Sequence, residues 1–175
     1  MLGPPGPAGG AAVSARRLKR FADERGLLFE HEPAARRTPA VFRRYDRQTL
    51  VGWFGVPGPT GFEVGQSVRN LTITDETAHT SRITWAAFAL RTGDDGARVA
   101  LRAIAGVLPS GWNAEIDQNE LVLWTLRRRT RLTSTRLWTW LEQAHGVLEP
   151  LLARSERVSD PAIRRRRGIR LAIEA

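Results

Sequence analysis

The stretch that decides the fold is residues 113–151, NAEIDQNELVLWTLRRRTRLTSTRLWTWLEQAHGVLEPL. It opens with alternation. Asn113, Glu115, Asp117 and Asn119 are polar and Ala114 and Ile116 apolar, the period of two of a strand with one face in water, nearer a sheet edge. A tight turn near Gln118-Asn119 is expected to join it to Leu121-Val122-Leu123-Trp124-Thr125-Leu126, which is largely apolar on both faces and so needs a layer on each side. The period then changes. After Arg127-Arg128-Arg129-Thr130-Arg131, Thr133 or Ser134 can cap a helix in which Leu137, Leu141, Ala144, Leu148 and Leu151 form one stripe, flanked by Trp140 and Val147. Pro150 cannot donate to the carbonyl of Gly146, so a kink or break is expected there.

Working outward, short runs rich in β-branched and aromatic residues read as strands: Leu27 to Glu32, Val41 to Tyr45, Leu50 to Phe54, Phe62 to Val68, Leu71 to Thr74, Ile83 to Leu90 and Val99 to Ile104. Pro57-Gly58-Pro59, Gly93-Asp94-Asp95-Gly96 and Pro109-Ser110-Gly111 punctuate them. Ile83 to Leu90, apolar on both faces, is read as central. Upstream, Leu18, Phe21 and Ala22 recur at helical spacing and Gly26 is placed to stop a helix over about 14–25. The expected architecture is α+β: a mainly antiparallel sheet of about six to eight short strands, a C-terminal helix along one face, and an N-terminal helix at an edge or on the other face. Residues 1–13, rich in Pro and Gly, are expected to be a disordered arm, 14–156 a single domain, and 157–175 a basic tail.

Charge is distributed unevenly. The net +9 comes from 27 basic and 18 acidic side chains; residues 1–25 hold five and two of these, residues 154–175 seven and three, and residues 26–153 fifteen and thirteen. The part expected to fold is thus nearly neutral, which undercuts a nucleic-acid reading drawn from overall basicity. The chain has no cysteine, excluding disulfides, thiolate nucleophiles and Cys-bound metal sites. Its start lacks the order of a signal peptide, and no segment approaches the roughly 20 apolar residues of a membrane span. A cytoplasmic location is expected.

Chemistry-bearing motifs are sparse. His31, His79 and His145 fall in no metal-ligand spacing. Gly65-Gln66-Ser67-Val68-Arg69 lacks the second glycine of a nucleophile elbow, and Gly52, Gly55, Gly58, Gly61 and Gly65 match no phosphate loop and read as turn and bulge residues. Glu115 and Asp117 share a strand face about 7 Å apart by strand geometry, a spacing that any solvated strand face also shows. No enzyme activity and no cofactor are expected.

Two features point to binding. Arg127, Arg128, Arg129 and Arg131 precede a helix start, where unpaired N–H groups and the macrodipole already repel cations; an anion would relieve that conflict, with Arg136 in the first turn. These five arginines are the candidate anion-binding residues. Of six tryptophans, Trp85, Trp124 and Trp140 read as core by position, and Trp112 and Trp138, the freest to be exposed, are the candidates for a pocket or partner surface.

The phrases Phe21-Ala22-Asp23-Glu24-Arg25-Gly26-Leu27 and Phe62-Glu63-Val64-Gly65, with a late strand pair followed by one long helix, resemble a set of uncharacterised small proteins of high-GC Gram-positive bacteria. The likeness spans about residues 18–152, and this chain is the shorter between Trp85 and Trp112. The resemblance implies no activity and transfers no site residue. Three readings of function follow: an interaction or accessory module whose basic termini engage an acidic protein, an anionic membrane surface or nucleic acid; a small-molecule binder with a pocket between a curved sheet and the C-terminal helix; and an anion or nucleic-acid binder acting through Arg127 to Arg131.

Overall fold

The computed structural model describes residues 8–30, 33, 37–43, 48–74, 77–91, 94–126 and 130–154. In chain order its elements are α1 (Ala8–Arg25), β1 (Leu28–Glu30), α2 (Ala40–Arg43), β2 (Gln48–Gly55), β3 (Glu63–Thr74), β4 (Thr77–Ala89), α3 (Asp94–Ala105), β5 (Asn113–Asp117), β6 (Glu120–Thr125) and α4 (Thr135–Leu148), then a single 3-10 turn, Glu149–Leu151. The strands form one antiparallel sheet in the order β1-β2-β3-β4-β6-β5. The α+β architecture and the strand number agree with the sequence reading. So do the edge position of β5 and the hairpin at Gln118-Asn119, where both residues take positive φ, 50° and 66°, as a two-residue hairpin turn requires.

Each sheet face has its own core. On one, Phe54, Phe62, Val64, Ala86, Phe88, Leu121 and Leu123 meet Ala22 of α1, Ala100 and Ile104 of α3, and Leu137, Trp138, Leu141, Ala144 and Leu148 of α4. The N-terminal helix therefore shares a face with the C-terminal helix and does not lie opposite it. Phe21 shows why: its ring sits 5.7 Å from Phe54 and 5.9 Å from Trp138. α1 begins at Ala8, earlier than expected, so residues 8–13 extend the helix.

The other face is crossed by residues 37–43. Here Trp53, Trp85 and Trp124 lie on one cross-strand row, through the pairs Trp53↔Gly65, Gly65↔Trp85 and Trp85↔Trp124. Gly65 leaves room for the neighbouring indole: a Cβ there would stand 2.2 Å from Cζ2 of Trp85. It is a close-approach glycine and neither a turn nor a bulge. The Trp85 indole donates to Ser67 Oγ at 3.2 Å, whereas the indole N–H groups of Trp53 and Trp124 have no partner among the described residues.

Arg37 lies 4.2 Å over the Trp53 ring and pairs with Glu30 and with Glu63 at 3.4 Å. Burial opposes its charge, but the hydrogen bonds and charges of Glu30 and Glu63 outweigh that and hold the guanidinium pKa above its ordinary value. Phe42 meets Trp124 edge-on at 6.1 Å, and the Ala40 N–H donates to Glu120 Oε2 at 3.2 Å.

Two runs read as strands are helices. Val41 to Tyr45 becomes α2 as far as Arg43, because consecutive Val41 and Phe42 are both buried in the same core; successive strand residues would point to opposite faces. Residues 44–47 lie outside the described residues. Val99 to Ile104 belongs to α3, whose buried contacts, Ala100 and Ile104, are four apart while Val99 is exposed. Phe62 to Val68 and Leu71 to Thr74 merge into β3, and Ile83 to Leu90 extends back to Thr77 as β4.

α4 forms as read. Ser134 caps it by accepting from Leu137 N at 3.5 Å, Leu137, Leu141, Ala144 and Leu148 of its stripe are buried, and the α-helix ends at Leu148 ahead of Pro150, so that Leu151 falls in the 3-10 turn and is only partly buried. Leu152 then bridges Leu90, and the Ala153 N–H donates to Ala89 O at 2.9 Å. Among the described residues no helix is long and apolar enough to cross a membrane.

Candidate anion-binding pocket

Residues 130–134, ahead of α4, are pinned by their backbone. Gln66, nearly buried on β3, donates to Thr130 O at 3.1 Å and to Thr84 Oγ1 at 3.0 Å. Trp138 donates its indole N–H to Leu132 O at 2.6 Å, and Ser134 N–H to Arg131 O at 3.0 Å. Leu132 itself is buried. Arg131, between the anchored Thr130 and Leu132, is exposed beside the first turn of α4.

The opposite wall comes from the turn before β5. Trp112 N–H donates to Pro109 O at 3.1 Å, Gly111 takes φ 81°, and the Gly111 carbonyl accepts a 2.6 Å bond from Thr125 Oγ1, a fully buried hydroxyl on β6. On α4, Trp140 donates its indole N–H to Val107 O at 2.8 Å. The rings of Trp112 and Trp140 meet at 4.5 Å. Both tryptophans are thus positioned by buried or backbone partners.

Between these walls lies an open pocket of about 520 Å³, lined by Trp112, Trp140, Arg131, Arg136, Thr130 and Ser134, with Pro109 and Leu137. The volume falls within the roughly 300–1,000 Å³ typical of small-molecule sites. Among the described residues its lining carries two guanidinium groups and no carboxylate. Neither Arg131 nor Arg136 has an ion-pair partner among the described residues. Cations left without partners at a helix N-terminus are electrostatically unfavourable, and an anion between them relieves the repulsion.

The structure brings together three of the residues singled out from sequence: Arg131, Arg136 and Trp112. Arg127, Arg128 and Arg129 lie outside the described residues. Trp138 is a correction. It is 2% exposed, packed against Phe21, Phe54 and Phe62 and covered by Arg25, which reaches Glu142 at 3.6 Å. Trp140, read as core, lines the pocket in its place. Trp138 and Trp140 sit on opposite flanks of the α4 stripe, and α1 covers only the Trp138 flank. Directly beneath α4, Phe54, Phe62 and Trp138 close on one another, so this pocket lies at the helix's N-terminal flank.

The other candidate groups have structural partners or lie apart. His145 faces Thr60, with Nε2 at 2.9 Å from its carbonyl oxygen. A smaller cavity of about 340 Å³ on the tryptophan face includes Glu63 and Glu120, which bond Arg37 and the Ala40 N–H respectively. Glu115 and Asp117 line neither cavity. No group of three or more His, Cys, Asp or Glu placed to hold a metal occurs among the described residues. Comparison with protein-family models, curated proteins and solved structures gives no match for this chain.

Proposed function

We propose that this protein is a non-enzymatic binding module that captures an anionic ligand bearing a flat apolar group in the pocket between Trp112, Trp140, Arg131 and Arg136. The observation that carries this reading is the pairing of two guanidinium groups that have no ion-pair partner among the described residues with two indole rings around one pocket. Arginine forks suit phosphate and carboxylate oxygens, and indole faces suit aromatic or aliphatic planes. The backbone bonds to Thr130, Leu132 and Gly111 fix the scaffold before a ligand arrives, which lowers the ordering cost of binding. The basic segments at residues 1–25 and 154–175 add long-range attraction for the same anions. The phosphate monoester of an aromatic nucleoside is the natural probe.

Thermal denaturation of the full chain with adenosine 5′-monophosphate, adenosine and inorganic phosphate, each at matched ionic strength, tests the proposal. At about 100 times Kd a ligand adds about 2.7 kcal/mol, which for a chain of this size is about 5–10 °C. The monophosphate is expected to exceed both of its parts. Each of Arg131→Ala and Arg136→Ala is expected to weaken it about tenfold or more, the loss of a charge-assisted hydrogen bond. Equal stabilisation of wild type and the double variant would overturn the assignment.

A further inference from the structure

The charge of the ligand follows from the lining of the pocket. Arg131 and Arg136 set two positive charges against one cavity of about 520 Å³; among the described residues no carboxylate lines it and neither guanidinium has an ion-pair partner. Arginine stays protonated throughout the physiological range. The adjoining sequence supplies no opposite charge either, because the three residues before Thr130 are Arg127, Arg128 and Arg129. Thr130 and Ser134 add two hydroxyls, which can donate as well as accept. An anion held here meets two cations.

A carboxylate or a phosphate diester offers one negative charge and two free oxygens. A phosphate monoester offers nearly two charges at neutral pH and three acceptor oxygens. Two guanidinium forks, each engaging two oxygens, fit on three by sharing one, whereas on two oxygens they must share both. The monoester also neutralises both arginines, and the other two groups leave one repelling charge uncompensated.

The spacing agrees with a nucleoside-sized ester. Arg136 and Trp140 are four apart on α4, neighbours on one helix face, and both line the cavity. Phosphate and flat group are thereby held about one turn, about 5.4 Å, apart along the helix axis, which a single sugar ring spans. The rings of Trp112 and Trp140 meet at 4.5 Å with their planes tilted by 51°, so no ring enters between them and the pair forms a corner for one planar group.

We propose, resting on the binding reading above, that the ligand of this pocket is an aromatic phosphate monoester bound as its dianion, the class to which nucleoside monophosphates belong, and that the site discriminates against diesters and carboxylates of the same size. The interior of a nucleic-acid strand carries only diester phosphates and is therefore a poor ligand.

Isothermal titration calorimetry on the full chain at constant ionic strength compares adenosine 5′-monophosphate with its methyl ester and with adenosine 5′-carboxylic acid, which keep the base and sugar and carry one charge. At pH 7.5 the monophosphate is expected to bind about tenfold or more tightly than either, the difference of a charge-assisted hydrogen bond. At pH 5, about one unit below the second ionisation of a phosphate monoester, its affinity is expected to fall several-fold toward that of the methyl ester, which stays constant. The protein groups that line the pocket do not titrate in this range; on the surrounding elements Glu142 reaches Arg25, His145 faces Thr60, and Glu115 and Asp117 lie outside the lining. Arg131→Gln and Arg136→Gln each leave one cation and are expected to erase most of the preference for monophosphate over methyl ester, whereas structural damage lowers both alike. A methyl ester bound as tightly as the monophosphate, parallel weakening of the two at pH 5, or a preference intact in both variants would overturn the dianion assignment and leave the binding module standing; failure of all three ligands to bind would overturn both.

Discussion

Gly65→Ala tests the tryptophan row most sharply. The added methyl would stand 2.2, 2.5 and 2.8 Å from Cζ2, Cε2 and Cη2 of Trp85, where carbon atoms prefer about 3.5–4.0 Å. The indole must retreat by more than about 1 Å. It has nowhere to go: Trp85 is fully buried in a row between Trp53 and Trp124. Overpacking of this kind costs about 1–3 kcal/mol, and loss of the Trp85–Ser67 hydrogen bond leaves a buried donor unpaired for about 1–3 kcal/mol more. Alanine's lower unfolded-state entropy returns about 0.4–1 kcal/mol. The net is a loss of about 1–6 kcal/mol, a large part of the about 5–15 kcal/mol of a typical domain.

Urea unfolding followed by far-ultraviolet circular dichroism measures it. Gly52→Ala is the internal control, because a Cβ there meets only the side-chain methyls Leu132 Cδ1 at 2.9 Å and Leu18 Cδ1 at 3.4 Å, which rotate away for less than about 1 kcal/mol. A Gly65→Ala protein within about 0.5 kcal/mol of wild type, or a Gly52→Ala protein equally damaged, would refute the reasoning.

Arg37→Ala removes the cation that Glu63, 3% exposed, pairs with at 3.4 Å and uncovers Trp53; denaturant titration is expected to show a loss of about 2–4 kcal/mol, at or below the usual cost of breaking a buried pair. Ser134→Ala removes the cap of α4, and because its bond is long at 3.5 Å the expected loss is near the low end for caps, about 0.5–1 kcal/mol by thermal melting. Trp138→Phe removes the anchor on Leu132 O; it is expected to lower stability by about 1–3 kcal/mol and, by releasing the segment that carries Arg131, to weaken monophosphate binding in calorimetry.

Where a periodicity was unbroken and its context local, the sequence was readable. The β5–β6 hairpin and α4 with its cap and its break before Pro150 needed only alternation, a turn and a stripe. Val99 to Ile104 misled because a short apolar run with β-branched members fits either period, and only burial of Ala100 and Ile104 chooses between them. Val41 and Phe42 misled for the same reason. The pocket was half legible. Arg131, Arg136 and Trp112 stand out by charge and by position in a turn, but α4 offers Trp138 on one flank and Trp140 on the other. Which flank stays open depends on where α1 docks, a tertiary contact made through Phe21 and Arg25. Nothing local to α4 records it. The tryptophan row was hidden likewise, since it exists only in the cross-strand register.

The most direct test of the binding assignment reads the six indole N–H resonances in a nitrogen-15 correlation spectrum during titration with adenosine 5′-monophosphate at constant ionic strength. The resonances of Trp112 and Trp140 are predicted to move together and saturate, and those of Trp53, Trp85, Trp124 and Trp138 to stay in place. Fixed Trp112 and Trp140 resonances at saturating monophosphate, or movement confined to the other four, would contradict the account.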